Sequence, residues 1–185
     1  MKRRAQRTTA GVLSARSTAG FSMIELLVAV LVMGIGVLGI TGLQMVSLQN
    51  NRAALLRAEA TQLAYDMMDR VRANPSGALP GGAYDGLDIG DAPAGGADCV
   101  AGGCAEAAMV TFDQDTWKCQ LGAWNDDATC TQFRADEVLP DVDAQPGLPD
   151  GDGSIAVDAA GVITITVQWT GANGEDQTVV IDSQS

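Results

Sequence analysis

The sequence predicts an α+β protein. A long N-terminal helix, membrane-spanning in its first half, packs by its second half on a small three-stranded antiparallel sheet, with a short helix and disulfide-bonded loops. Three observations lead there. Residues 26–45 are twenty consecutive uncharged, mostly apolar residues, and the helical pattern continues well past them. Residues 162–169 alternate strictly, Ile163, Ile165 and Val167 against Thr164, Thr166 and Gln168. Four cysteines, Cys99, Cys104, Cys119 and Cys130, all follow the apolar run.

The twenty-residue run amounts to about 30 Å of helix, the thickness of a bilayer's hydrocarbon core. Beyond it, Ala53, Leu56, Ala60, Leu63, Ala64, Met67 and Val71 recur at steps of three and four, which marks one apolar helix face. Asp66 and Arg70 stand four apart in the favourable order. Asn74-Pro75 closes the run, because a residue before proline is pushed out of the helical region. A helix from residue 22 to 73 would be roughly 75–80 Å long, more than one small domain can bury.

Residues 76–98 are rich in Gly, Ala, Pro and Asp and read as a loop. Residues 105–121 are predicted helical, with Ala108, Phe112 and Trp117 available to pack and Trp124 beside them. Strands are predicted at 154–157, 162–169 and 178–182, joined by the turn-rich DAAG and TGANGEDQ in an antiparallel meander. One face of that sheet is expected to pack on the long helix.

Charge is distributed unevenly. Residues 1–20 hold five of the eleven basic residues and no acid, so a chain of formal charge −12 becomes −17 without them. An acidic body of this kind argues against nucleic-acid binding by phosphate neutralisation, and no direct nucleic-acid binding is expected. The absence of histidine removes the commonest general base and metal ligand. The basic segment before the apolar run places residues 1–20 in the cytoplasm and everything after about Val46 outside. An ordinary signal peptide fits poorly: the apolar run exceeds the usual 7–15 residues, and the nearest small-x-small site, Ala58-Glu59-Ala60, lies far beyond it.

Gly34-Ile35-Gly36-Val37-Leu38-Gly39 is a literal G-x-G-x-x-G, with Glu59 twenty residues on. No break follows Gly39 to end a strand, and Glu59 falls within a helix, so dinucleotide binding is rejected. Gly34, Gly36, Gly39 and Gly42 read instead as small positions in a membrane helix. The decisive stretch lies just upstream, STAGFSMIELLVAVLVMGIGVLGI, where Glu25 stands alone at the start of the apolar run. A carboxylate at such a place costs energy in lipid and is functional by default; its bland reading is snorkelling to the headgroups.

These residues closely resemble the type IV prepilins. The resemblance implies that a prepilin peptidase cuts between Gly20 and Phe21 on the cytoplasmic side, that the new terminus at Phe21 is N-methylated, and that Glu25 is the assembly carboxylate. It also divides the chain into a cleaved basic leader (1–20), a transmembrane half-helix (21–46), an amphipathic half-helix (47–74) and a periplasmic head (75–185). Within SLQNNRAALLRAEATQLAYDMMDRVRANP, the residues Ala64, Tyr65, Asp66, Met67, Asp69, Arg70, Arg72, Ala73, Asn74 and Pro75 are similar to the PilV-type minor pilins. That likeness covers residues 20–75 well and the remainder in outline. It implies a non-enzymatic subunit with no cofactor, held in inner-membrane lipid and then built into the pilus, near an assembly-priming or tip complex. The implied partners are the peptidase, the major pilin, other minor pilins, a tip adhesin and the inner-membrane assembly platform. A type II secretion pseudopilin shares the processing site, and a membrane-anchored periplasmic enzyme is the alternative from another class.

In an exported domain four cysteines read as disulfides with three possible connectivities. Gly102-Gly103 lets a short loop close, which favours Cys99–Cys104 with Cys119–Cys130. Zinc fails on spacing and on the lack of histidine. Residues 141–153, DVDAQPGLPDGDG, miss the calcium-loop template at Gln145 and at the proline in the glycine position, so a solvated acidic loop is expected. Asp113 and Asp115, two apart on a helix, do not face each other and are likewise expected on a solvated face.

Overall fold

The computed structural model describes residues 20–184. The leader, other than Gly20, lies outside the described residues. The chain divides into two compact units, one reaching Met45 and one running from Val46 to Ser185. Helix α1, Met23–Ala73, is continuous through the boundary.

In the first unit every described side chain is exposed. The first turn is closed by the Leu26 N–H donating to the Ser22 carbonyl at 3.2 Å. Glu25 lies in that turn and Arg70 and Arg72 in the last, so both helix ends carry the sign of charge that the peptide dipoles favour. The helix ends before Asn74-Pro75, where the Asn74 N–H turns back to the Val71 carbonyl.

In the second unit Leu56, Ala60, Leu63, Ala64, Met67, Met68 and Val71 of α1 are buried, at helical spacing. Ala53, placed on this face by the periodicity, is exposed. The strands β1 (Asp152–Val157), β2 (Val162–Thr170) and β3 (Asp176–Gln184) form an antiparallel sheet in that order. Ile155, Val157, Ile163, Ile165, Val167, Trp169 and Val179 join the α1 residues in one core. Burial along β2 alternates residue by residue, as its sequence requires.

Helix α3 (Glu106–Leu121) closes the core with Val110, Trp117 and Leu121. Trp117 is fully buried and donates its indole N–H to the Leu63 carbonyl at 3.0 Å, which ties α3 to α1. Gly153 makes this close approach possible, since a Cβ there would collide with the Trp117 ring. Two short helices show no periodic pattern in the sequence, α2 (Cys99–Gly102) and α4 (Ala128–Ala135). Each begins at an aspartate cap, Asp98 accepting from Val100 N–H and Asp127 from Thr129 N–H. A second, smaller core holds Phe112, Phe133 and Leu139 around the cysteines, with the two phenyl rings edge to face at 5.6 Å.

Residues 76–98 form no regular strand or helix, but they are not loose. Leu87 makes an isolated antiparallel bridge with Ile155 on the outer side of β1.

Candidate functional site

Two groups of residues were singled out for chemistry, and the structure treats them differently. At the start of α1, Phe21 precedes the helix and is 79% exposed. Glu25 is exposed one turn further on and accepts no hydrogen bond among the described residues. Around it Ile24, Val28, Ala29, Val32 and Met33 present apolar surface. An exposed stripe of this composition, carrying one carboxylate, has nothing within its own unit to bury against. Its helix is long and apolar enough to cross a membrane. Gly34, Gly36, Gly39 and Gly42 all lie inside the helix, and a Cβ at any of them would meet nothing in this chain. The G-x-G-x-x-G therefore sits mid-helix, without the strand and turn that a pyrophosphate site requires.

Residues 15–41 match the family described as the prokaryotic N-terminal methylation motif. The chain is supported as a type IV pilin-like or pseudopilin protein. The match spans the junction from the leader through Gly20, Phe21 and Glu25 into the glycine-bearing half of α1. It implies processing by a prepilin peptidase and assembly with other pilins. With the apolar helix it supports membrane anchoring. Comparisons with curated proteins and with solved structures returned no match.

The second group lies in the head, and here the structure corrects two expectations. Asp113 and Asp115 are not on a solvated face: they are 8% and 2% exposed. Asp115 accepts the backbone N–H groups of Ala94, Gly95 and Gly96 at 2.6, 3.0 and 2.7 Å. Asp113 accepts the Tyr84 hydroxyl at 2.6 Å and lies 3.6 Å from Arg70, which also bonds Asp66. The two carboxylates thus serve different partners and form no acid–base pair. The acidic stretch 141–153 is likewise not wholly solvated, because Asp152 is buried against Lys118 with Nζ 2.6 Å from Oδ1. Gly90 N–H donates to the other Asp152 oxygen, and Lys118 also donates to the Asp88 carbonyl.

Together these groups anchor residues 84–96, a segment with too few apolar side chains to hold itself down. The buried Tyr84 hydroxyl has its pKa driven up, first by loss of solvent and then by its bond to Asp113. Asp85, by contrast, is held below the usual carboxylate range by the Val157 and Gly81 N–H groups. One signal for this network was present in the sequence. Past Ala73 the only two cations are Lys118 and Arg134, so most acids there must find backbone N–H donors or water.

The cysteines form two bridges, Cys99–Cys104 and Cys119–Cys130. The first closes the short loop containing Gly102 and Gly103; the second joins α3 to α4. Among the described residues no group of three or more His, Cys, Asp or Glu is arranged to hold a metal ion.

Proposed function

We propose that this chain is a minor pilin of a type IV pilus, of the PilV-type branch, stored in the inner membrane and built into the filament after processing. The carrying observation is the single exposed carboxylate, Glu25, at the head of an apolar helix within the matched methylation segment. Cleavage between Gly20 and Phe21 converts an amide into a free α-amine, which is largely protonated near neutral pH. That amine and Glu25 are then separated by about one helical turn on the same subunit. A neighbouring subunit can therefore present its amine to this carboxylate while receiving another in turn. Each charge is less costly to hold in an apolar filament interior when the other accompanies it. An uncut leader prevents this by leaving the nitrogen of Phe21 in a peptide bond. N-methylation at Phe21 keeps the basic nitrogen and adds apolar surface.

The glycines assist in a different way. Where Gly34, Gly36, Gly39 and Gly42 replace larger residues, helices from other subunits can approach closely. The residues similar to PilV-type proteins, from Ala64 to Pro75, lie in the half of α1 that packs in the head, which suits a role in an assembly-priming or tip complex.

Co-expression with a prepilin peptidase should remove twenty residues and leave N-methyl-Phe21, read by intact-mass and peptide mass spectrometry. Deleting the gene should reduce surface pili, and the protein should be recovered from sheared filaments. Loss of protein secretion with normal pili would instead assign it to a type II secretion pseudopilus.

A further inference from the structure

The two edges of the sheet differ in a way that points to a partner. The hairpin bonds Asp158 N–H to the Val162 carbonyl and Gly171 N–H to the Glu175 carbonyl fix which backbone groups of each strand face β2. On β1 this leaves Gly153, Ile155 and Val157 facing outward. All three N–H groups are satisfied within the chain, by Asp152 Oδ1, the Leu87 carbonyl and Asp85 Oδ1 at 2.7, 2.8 and 2.8 Å. That edge is closed.

On β3 the same alternation turns Gln177, Val179, Ile181 and Ser183 toward β2, and Asp176, Thr178, Val180, Asp182 and Gln184 outward. None of those five outward N–H groups has an acceptor among the described residues. Of the usual protections of an edge strand, only charge is present, in Asp176 and Asp182. The register with β2 runs without a bulge from Asp176 to Gln184, and the strand contains no proline, glycine or lysine. Asp176, Thr178, Val180 and Asp182 are all exposed, Val180 by 54%.

We infer that the outer edge of β3 is a strand-addition site for an extended, basic segment of another protein. An antiparallel guest would place basic side chains opposite Asp176 and Asp182, a β-branched one opposite Val180 and a hydroxyl opposite Thr178. Charge selects this occupant over a second copy of the chain. Residues 74–185 hold nineteen acids and two bases, and both bases, Lys118 and Arg134, are bonded internally. Two such heads repel, whereas a cationic segment is drawn in. This inference does not depend on which filament the protein serves.

The test uses the full chain in detergent micelles and a fluorescein-labelled heptapeptide, Lys-Thr-Val-Thr-Thr-Thr-Lys, followed by anisotropy. Binding should slow amide exchange at Thr178, Val180 and Asp182. A peptide with glutamate at both ends, or with the valine nitrogen methylated, should bind at least about tenfold more weakly. Asp176→Lys is an exposed substitution and should cost about the same factor. Replacing the peptide's C-terminal lysine by glutamate should restore binding to that variant alone, because antiparallel pairing sets those two positions opposite. No binding up to about 1 mM overturns the inference. So does indifference to the charge swap, exchange protection away from β3, or concentration-dependent pairing of the chain with itself through this edge.

Discussion

Lys118 and Asp152 form an ion pair from which water is almost excluded, the Lys118 side chain being 1% exposed with its nitrogen 2.6 Å from Oδ1. Lys118 comes from α3 and Asp152 from the first residue of β1, and the segment between Asp88 and Gly90 closes over both. Such a pair is a poor source of net stability, but removing one partner strands the other.

Lys118→Met should therefore destabilise the head by about 3–5 kcal/mol, and Asp152→Leu by a similar amount. The double substitution should recover only part of the loss: neither charge remains to be buried unpaired, but the Gly90 and Gly153 N–H groups and the Asp88 carbonyl lose their partners. Urea unfolding of residues 46–185 measures all three. Additive losses would show that the two side chains act independently.

The contrast between Lys118 and the apolar positions shows where the sequence was legible. Periodicity alone identified Leu56, Ala60, Leu63, Ala64, Met67 and Val71, because a helix face packed on a sheet must repeat every three to four residues. Ile163, Ile165 and Val167 were equally legible, since a half-buried strand must alternate. Asp113, Asp115 and Asp152 were misread. Their burial depends on backbone N–H groups of Ala94–Gly96 and Gly90, and on a hydroxyl from Tyr84, that the fold brings from distant sequence. Periodicity carries no record of such donors. α2 and α4 were missed because segments of four and eight residues show too few turns for a pattern, and only their aspartate caps signalled them. The methylation motif matched at residues 15–41 was legible for the opposite reason: its signal is local, an isolated acid beginning an uncharged helix.

The bridges should contribute unequally. Loop-closure entropy assigns about 3 kcal/mol to Cys119–Cys130 and about 2 kcal/mol to Cys99–Cys104. The longer bridge also lies wholly in the second core, both sulfurs being buried. Cys119→Ala with Cys130→Ala should thus lower the melting temperature more than Cys99→Ala with Cys104→Ala. Calorimetry of the two paired variants checks the order.

Alkaline stability should report on Tyr84. Its folded pKa is raised, so the folded state keeps a proton that the unfolded chain releases near pH 10. The unfolded state then binds fewer protons, and stability falls as pH rises through the tyrosine range. Below pH 10 the contribution is fully present. In Tyr84→Phe the alkaline decline should be shallower, as seen in urea midpoints between about pH 8 and 11. An unchanged slope would mean that the decline arises elsewhere.

Gly153 should not tolerate a side chain. A Cβ there would overlap both the Trp117 ring and the Thr166 carbonyl. Neither can retreat: the indole is held by its bond to the Leu63 carbonyl, and Thr166 lies in the middle strand. Gly153→Ala should cost about 1–3 kcal/mol by overpacking and shift the Trp117 emission to the red as water reaches it. Unchanged emission and stability would show that α3 can move aside.

Glu25→Ala tests the assembly role. The substitution removes a charge that is costly in lipid, so membrane insertion should be as good as before or better. Processing should also continue, because the bond between Gly20 and Phe21 and the basic leader are untouched. Incorporation should fail even so: the amine of the neighbouring subunit would be left buried without its partner, a defect of roughly 3–5 kcal/mol. The expected pattern is a mature, membrane-held protein that is absent from sheared filaments, with fewer pili if the subunit primes assembly. Glu25→Gln separates charge from shape, since it keeps the side chain's size and should fail as alanine does. If either variant enters filaments at the normal level, the carboxylate is only reaching for the headgroups, and pairing between Glu25 and a processed amine is not what holds this subunit in place.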